Sequence, residues 1–223
     1  RSTLFPYTTL FRSRTGESVT NFAVSPRYHV SEDVMLYARV ASGYRPGGPN
    51  VIDPGLPAAY RADEIVSYET GVKSQLLDRR VQLNAAAFLI DWEDVQVGRV
   101  GQAINGFANG GRARSQGVEL SAVYLPVATL QLGVNAAYTK AELRDPIEIS
   151  ALLPPVGLPG DQLPDTPRWS GSLALDYERP LSSSTAFSAA AAYRYVGERY
   201  SSTRSDPKAL LLPGPVLDRK SVV

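Results

Sequence analysis

Residues able to do chemistry are few and scattered along these 223 residues. The one histidine, His29, lies near Ser25, but no third group of suitable spacing completes a proton relay and no nucleophile elbow occurs. Asp91, Glu93 and Asp94 flank Trp92 and could offer oxygen ligands to calcium, yet they lack the twelve-position loop of a dedicated site. Asp161 and Asp165 stand among prolines and fit an exposed loop better than a catalytic pair. Gly47, Gly48, Gly110 and Gly111 precede or join strand-like segments, so they form no phosphate-cradling turn at a helix start. Cysteine is absent, which removes disulfides, thiolate metal sites and cysteine nucleophiles together. The sequence therefore predicts no enzyme, no metal site and no cofactor.

With 23 basic against 22 acidic residues, the net charge of +1 gives no electrostatic case for nucleic acid. The hydrophobic share of 43% is enough for an ordered fold. The longest apolar runs, such as Ala85 to Ile90 and Leu210 to Leu212, fall far short of the ~20 residues of a spanning helix.

What recurs is alternation with period two, the mark of strands. Val34, Leu36, Ala38, Val40 and Tyr44 oppose Tyr37, Arg39, Gly43 and Arg45. Val118, Leu120, Ala122 and Tyr124 oppose Ser115, Gly117, Glu119 and Ser121, and Trp169, Leu173, Leu175 and Tyr177 oppose Ser170, Ser172, Asp176 and Glu178. Phe187 to Tyr195 and Phe22 to Val30 divide in the same way. Noisier strands are predicted for Val66 to Leu76, Val81 to Trp92 and Leu130 to Leu143, with a weaker one around Val95 to Phe107 and the start of another near Leu211. Short polar or proline-bearing turns, Ser31 to Asp33, Leu77 to Arg80, Pro126 to Thr129 and Pro180 to Thr185, alternate with long loops at 46–64 and 144–167.

About ten strands with one apolar face, short turns at one end and long loops at the other describe an antiparallel transmembrane β-barrel in part. A bilayer cannot hydrogen-bond free backbone groups, so strands cross it only within a closed sheet, apolar side chains outward and polar ones toward the lumen. Tyrosines that mostly lie in strands or near their ends, Tyr28, Tyr37, Tyr44, Tyr68, Tyr124, Tyr138, Tyr177, Tyr193, Tyr195 and Tyr200, suit the headgroup level. The lumen-facing polar set is then Arg39, Arg45, Glu69, Lys73, Glu119, Asp176 and Arg194, and His29 joins it. Glu69 and Lys73 flank Gly71 on one face, where they can pair with each other. Arg112 and Arg114 can face the lumen, lipopolysaccharide phosphate or solvent, and Gly117 predicts a bulge or a close backbone approach.

The run VSYETGVKSQLLDRRVQLNAAAFLIDWEDV, Val66 to Val95, resembles a hairpin of TonB-dependent outer-membrane receptors. SGYRPGG at Ser42 to Gly48, NGGRARSQGVEL at Asn109 to Leu120, AYTKAEL at Ala137 to Leu143 and PDTPRWSGSLALDY at Pro164 to Tyr177 follow in that family's order. The resemblance implies a 22-stranded barrel in the bacterial outer membrane, filled by a plug and driven by the TonB energy-transducing complex through that plug. Neither plug nor TonB-contacting segment nor the family's last strands are expected in this chain. It further implies uptake of a scarce nutrient of the iron-siderophore type, with a small-molecule ligand bound in loops 46–64 and 144–167. Outer-membrane lipid and lipopolysaccharide are the surrounding partners. Periodicity alone serves a passive porin-like channel equally, and an outer-membrane enzyme or adhesin is a third reading.

Both ends read differently. TLFPYTTLFRS, Thr3 to Ser13, resembles a translated sequencing adapter, and DRKSVV, Asp218 to Val223, resembles its reverse complement. The expected division is therefore an adapter-like segment 1–13, a barrel segment 14–217 and an adapter-like segment 218–223. With two open sheet edges, the isolated segment is expected to aggregate or stay unfolded in detergent.

Overall fold

A computed structural model describes residues 18–50, 57–100, 105–148, 155, 157–203 and 210–212. The adapter-like ends lie outside the described residues. Within them the chain is all β, and no helix is long and apolar enough to cross a membrane.

Seven long strands form the body: β3 (Val34–Arg45), β6 (Asp63–Leu76), β7 (Val81–Glu93), β10 (Ala113–Val127), β11 (Leu130–Leu143), β12 (Trp169–Pro180) and β13 (Ala186–Val196). They run antiparallel in sequence order in a 9-stranded sheet, which β1 (Ala23–Val24) and β2 (Arg27–His29) complete on the outer side of β3. The predicted first strand is thus broken in two. Pro26 has no N–H to give the ladder, although its carbonyl still accepts from the Ala38 amide at 3.2 Å. Among the described residues the sheet is open, ending at β13.

The connections alternate as predicted. Residues 30–33, 77–80, 128–129 and 181–185 close hairpins at one end, and the chain passes through 46–62, 94–112 and 144–168 at the other. In the second hairpin Leu77, Asp78 and Arg79 hold φ of 54°, 54° and 65° in succession. The first long loop carries a small hairpin, β4 (Gly48–Pro49) with β5 (Ala59–Tyr60). The second corrects an expectation: instead of one strand across Val95 to Phe107, β8 (Gln96–Val100) folds back on β9 (Asn105–Asn109) outside the main sheet. A further pair, β14 (Arg199–Tyr200) and β15 (Leu211–Leu212), follows β13.

Register fixes the faces. Across the sheet Leu36, Val72, Ala85, Leu120, Ala136 and Gly171 lie side by side, and one step along the strands Tyr37, Gly71, Ala86, Glu119, Ala137 and Ser170 do so on the opposite face. The apolar face is bare: Trp169 is 57% exposed, Leu173 53% and Val118 53%. The apolar face carries ring contacts at both ends, Tyr138 with Trp169 at 4.8 Å and Tyr177 with Phe187 at 6.2 Å. Eight residue steps of ~3.3 Å separate Trp169 from Tyr177, about 26 Å along β12. A strand tilt of about 40° brings that to about 20 Å, close to the ~25 Å apolar band of an outer-membrane barrel.

A small core does exist, and it lies on the polar face at the long-loop end. Val95, Ala113, Leu143 and Ile147 are buried there, with Trp92, Val97 and Leu163 packed against them. It anchors the loops to the sheet, while the body of the sheet leaves its apolar side to the bilayer.

Candidate functional site: the polar face and the loop rim

Lys73, Asn84, Ser121, Asn135, Ser172 and Arg194 are successive cross-strand partners, so six strands contribute one polar side chain each at a single height. One level up lie Tyr37 and Glu119, and Arg39 stands opposite Glu69 one level above those. Arg45 opposes Asp63 at the loop end, Asp176 opposes Gln131 toward the short-turn end, and His29 opposes Met35, which opposes Lys73. All seven sequence-derived positions, with His29, thus share the polar face, but they are spread from one end of it to the other.

The Glu69–Lys73 pair does not meet directly. Tyr37 stands between: its hydroxyl donates to Glu69 Oε1 at 2.6 Å, and Lys73 Nζ lies 5.7 Å from its ring centre. Tyr37 fits there because its cross-strand partner is Gly71, where a Cβ would come within 2.7 Å of the tyrosine ring. Gly117 works likewise. No bulge interrupts the ladder at that point; a close backbone approach does hold, since a Cβ would run into the Tyr138 carbonyl oxygen of β11 and would lie 2.9 Å from the cross-strand ring of Phe88. The irregularity in β10 falls between Tyr124 and Val127 instead.

At the loop end Asp63, only 2% exposed, gathers three donors. Arg45 grips it through Nε at 3.1 and 3.0 Å and through Nη2, the Trp92 indole N–H donates at 2.9 Å, and the Gln96 amide at 3.1 Å. Arg45 also lies 5.0 Å over the Trp92 ring. Buried carboxylates are tolerated when their lone pairs are filled this way. Sequence reasoning placed Asp63 in a loop and missed this role, although the downstream Asp-Trp-Glu-Asp run was its nearest visible signal.

Three more aspartates go to arginines. Asp91 accepts from Arg114 at 2.6 Å and Asp94 from Arg61 at 2.7 Å. Arg112 binds Asp145 through Nε at 2.8 Å, Nη2 at 3.1 Å and its backbone amide at 3.1 Å. Those hydrogen bonds hold the Asp145 carboxyl below the usual carboxylate range and raise the Arg112 guanidinium in return. Among the described residues, no group of three or more His, Asp or Glu converges on a metal-sized site.

On the apolar face, beyond the Tyr138–Trp169 rings toward the long loops, the surface turns charged. Glu142 binds Lys140 at 3.0 Å and Arg168 at 3.1 Å, with Arg114 as its cross-strand neighbour. An apolar band, an aromatic edge and then a charged fringe are what a strand leaving a bilayer presents.

The family model described as TonB dependent receptor-like, beta-barrel matches residues 2–213. This chain belongs to that family. It is 30% identical over 190 residues to the metal-pseudopaline receptor CntO of Pseudomonas aeruginosa, covering 83% of this chain and 25% of the relative. It is 27% identical over 155 residues to the pesticin receptor of Yersinia pestis, covering 69% and 22%. The ferric yersiniabactin uptake receptor FyuA from Yersinia pestis shares the fold with a TM-score of 0.67 at 23% identity, over 86% of this chain and 28% of that one. The closed form of the ferric-catecholate import receptor Fiu from E. coli gives 0.63 at 21%, over 87% and 27%. This TonB-dependent receptor chain therefore spans about a quarter of the length of the curated relatives it matches. Its sheet is a segment of an outer-membrane transmembrane barrel, and the proteins it resembles are transport receptors, not enzymes.

Proposed function

We propose that this chain is the barrel part of a receptor for energised, TonB-dependent uptake of a scarce nutrient of the iron-siderophore type. Membership of the receptor family carries the reading, and the names of its relatives, receptors for ferric siderophores and a metal–pseudopaline complex, support the ligand class. The polar face then lines the lumen, where Arg39, Arg45, Glu69, Lys73, Glu119, Asp176 and Arg194 meet water or a plug. A polar face with both signs of charge suits a filled, hydrated lumen rather than an apolar seal. Loops 46–64 and 144–167 bind the ligand, and the fringe of Arg114, Lys140 and Arg168 faces lipopolysaccharide phosphates.

Recovering the complete gene from the source DNA tests the reading. Codons in frame upstream of the barrel are expected to encode a plug and a short TonB-contacting segment. A gene encoding the barrel without a plug would overturn it in favour of a passive channel.

A further inference from the structure

Two loops that are separate in sequence are bound to one another by a reciprocal exchange. Asn50, next to β4, donates from Nδ2 to the Phe107 carbonyl at 2.7 Å and accepts from the Phe107 amide at 2.9 Å. Asn109, at the end of β9, donates to the Arg61 carbonyl at 3.0 Å and accepts from the Arg61 amide at 2.7 Å. Each asparagine thus satisfies both backbone groups of one residue in the other loop, as a paired strand residue would. Only an amide side chain carries the donor and acceptor side by side that this requires. Each also ties a second point, Asn50 the Pro57 carbonyl and Asn109 the Asp94 carbonyl, both at 2.8 Å.

Other contacts close the same seam. Gln96 Nε2 reaches the carbonyls of Arg45, Pro46 and Arg61 at 3.3, 3.0 and 3.1 Å. Arg61 pairs with Asp94 at 2.7 Å, and the rings of Tyr60 and Phe107 meet at 5.1 Å. Below the seam lies the buried Asp63, which holds Arg45 of one loop base and Gln96 of the other.

We infer that Asn50 and Asn109 are positioning residues that fuse residues 46–50 and 57–62 of one loop with 94–100 and 105–112 of the other into one body, so that the uptake ligand meets a preformed rim. Two loops closing independently would have to break four backbone-type hydrogen bonds at each opening. Recognition by the rim rests on the uptake reading above; the fusion itself rests on the hydrogen bonds alone.

The test uses the complete receptor with spin labels at Ala58→Cys and Gly98→Cys, positions in a chain that contributes no cysteine of its own. One narrow inter-label distance is expected, unchanged when ferric catecholate, hydroxamate or carboxylate siderophores are added. The Asn50→Ala/Asn109→Ala double variant is expected to broaden it at least twofold. Whichever siderophore binds should do so about tenfold more weakly at equal receptor abundance. A broad or siderophore-shifted distance in the parent, or parental width and affinity in the double variant, would overturn the fusion. Should the double variant fail to reach the membrane, the parental distance still decides. Absence of any siderophore binding would count against the uptake reading and leave the distance result standing.

Discussion

Gly117 and Gly71 each lie under a cross-strand ring, Phe88 and Tyr37, that a Cβ would approach to 2.9 and 2.7 Å. Gly117→Val in the complete receptor is expected to cost about 1–3 kcal/mol, the usual range for overpacking, seen as a lower urea midpoint of the refolded barrel. Gly133→Ala serves as the tolerated control, because its nearest neighbour, the Ala174 Cβ, is at an ordinary 3.5 Å. The sequence flagged Gly117 as unusual but could not name Phe88, since register sets that meeting and the two residues lie in different strands. The Arg112–Asp145 clasp makes a pH prediction. Asp145 is held below its ordinary range, so the clasp contributes fully above the free carboxylate value of about 3.9 and fades only as pH falls through the lowered one. Exchange of the Arg144 amide, which donates to the Arg112 carbonyl at 2.8 Å, should therefore stay slow from neutral pH to about 4. Asp145→Asn should speed it throughout; no change would deny the clasp a role. Arg112 is exposed and Asp145 half-buried at the surface, so the effect is local.

Alternation made the long strands legible, because a half-solvated sheet repeats its environment every second residue. β11 (Leu130–Leu143) has the bounds predicted for it, while β6 begins at Asp63, three residues before the predicted Val66. Charged residues at strand ends look like loop in one dimension and are recognised as ladder only beside their partners, as Asp63 is beside Arg45. The loop hairpins were illegible for the same reason: Asn50, Gln96 and Asn109 act through backbone groups far away in sequence. The two faces make opposite predictions for adjacent residues. Leu120→Arg, on the bare apolar face near mid-strand, is expected to cost about 2–4 kcal/mol and to lower the amount of heat-modifiable barrel in the membrane. Ser121→Arg, pointing the other way beside Asn84 and Asn135, should assemble at nearly the parental level. Equal loss from both would contradict the assignment of lipid and lumen sides.

At the scale of the molecule, the sheet meanders in sequence order with every long loop at one end, and such a sheet is sided in both directions. Across its thickness it divides bilayer from lumen. Along its strands it runs from short turns to a rim stitched by asparagines, arginines and a buried aspartate. Little apolar core is needed for this, since the membrane covers what a soluble sheet would have to bury. The family could be read from Val66 to Val95 because that hairpin carries both the face alternation and its short turn. The ligand could not, because it is selected by loop side chains whose three-dimensional neighbours no periodicity announces. Energised import through this barrel has a direct test. The complete receptor, placed in iron-starved cells lacking their own siderophore receptors, is supplied with radiolabelled ferric siderophores in the presence and in the absence of TonB. Accumulation of label that disappears without TonB is the predicted result. Accumulation that continues unchanged without TonB would contradict it and make the barrel a passive channel.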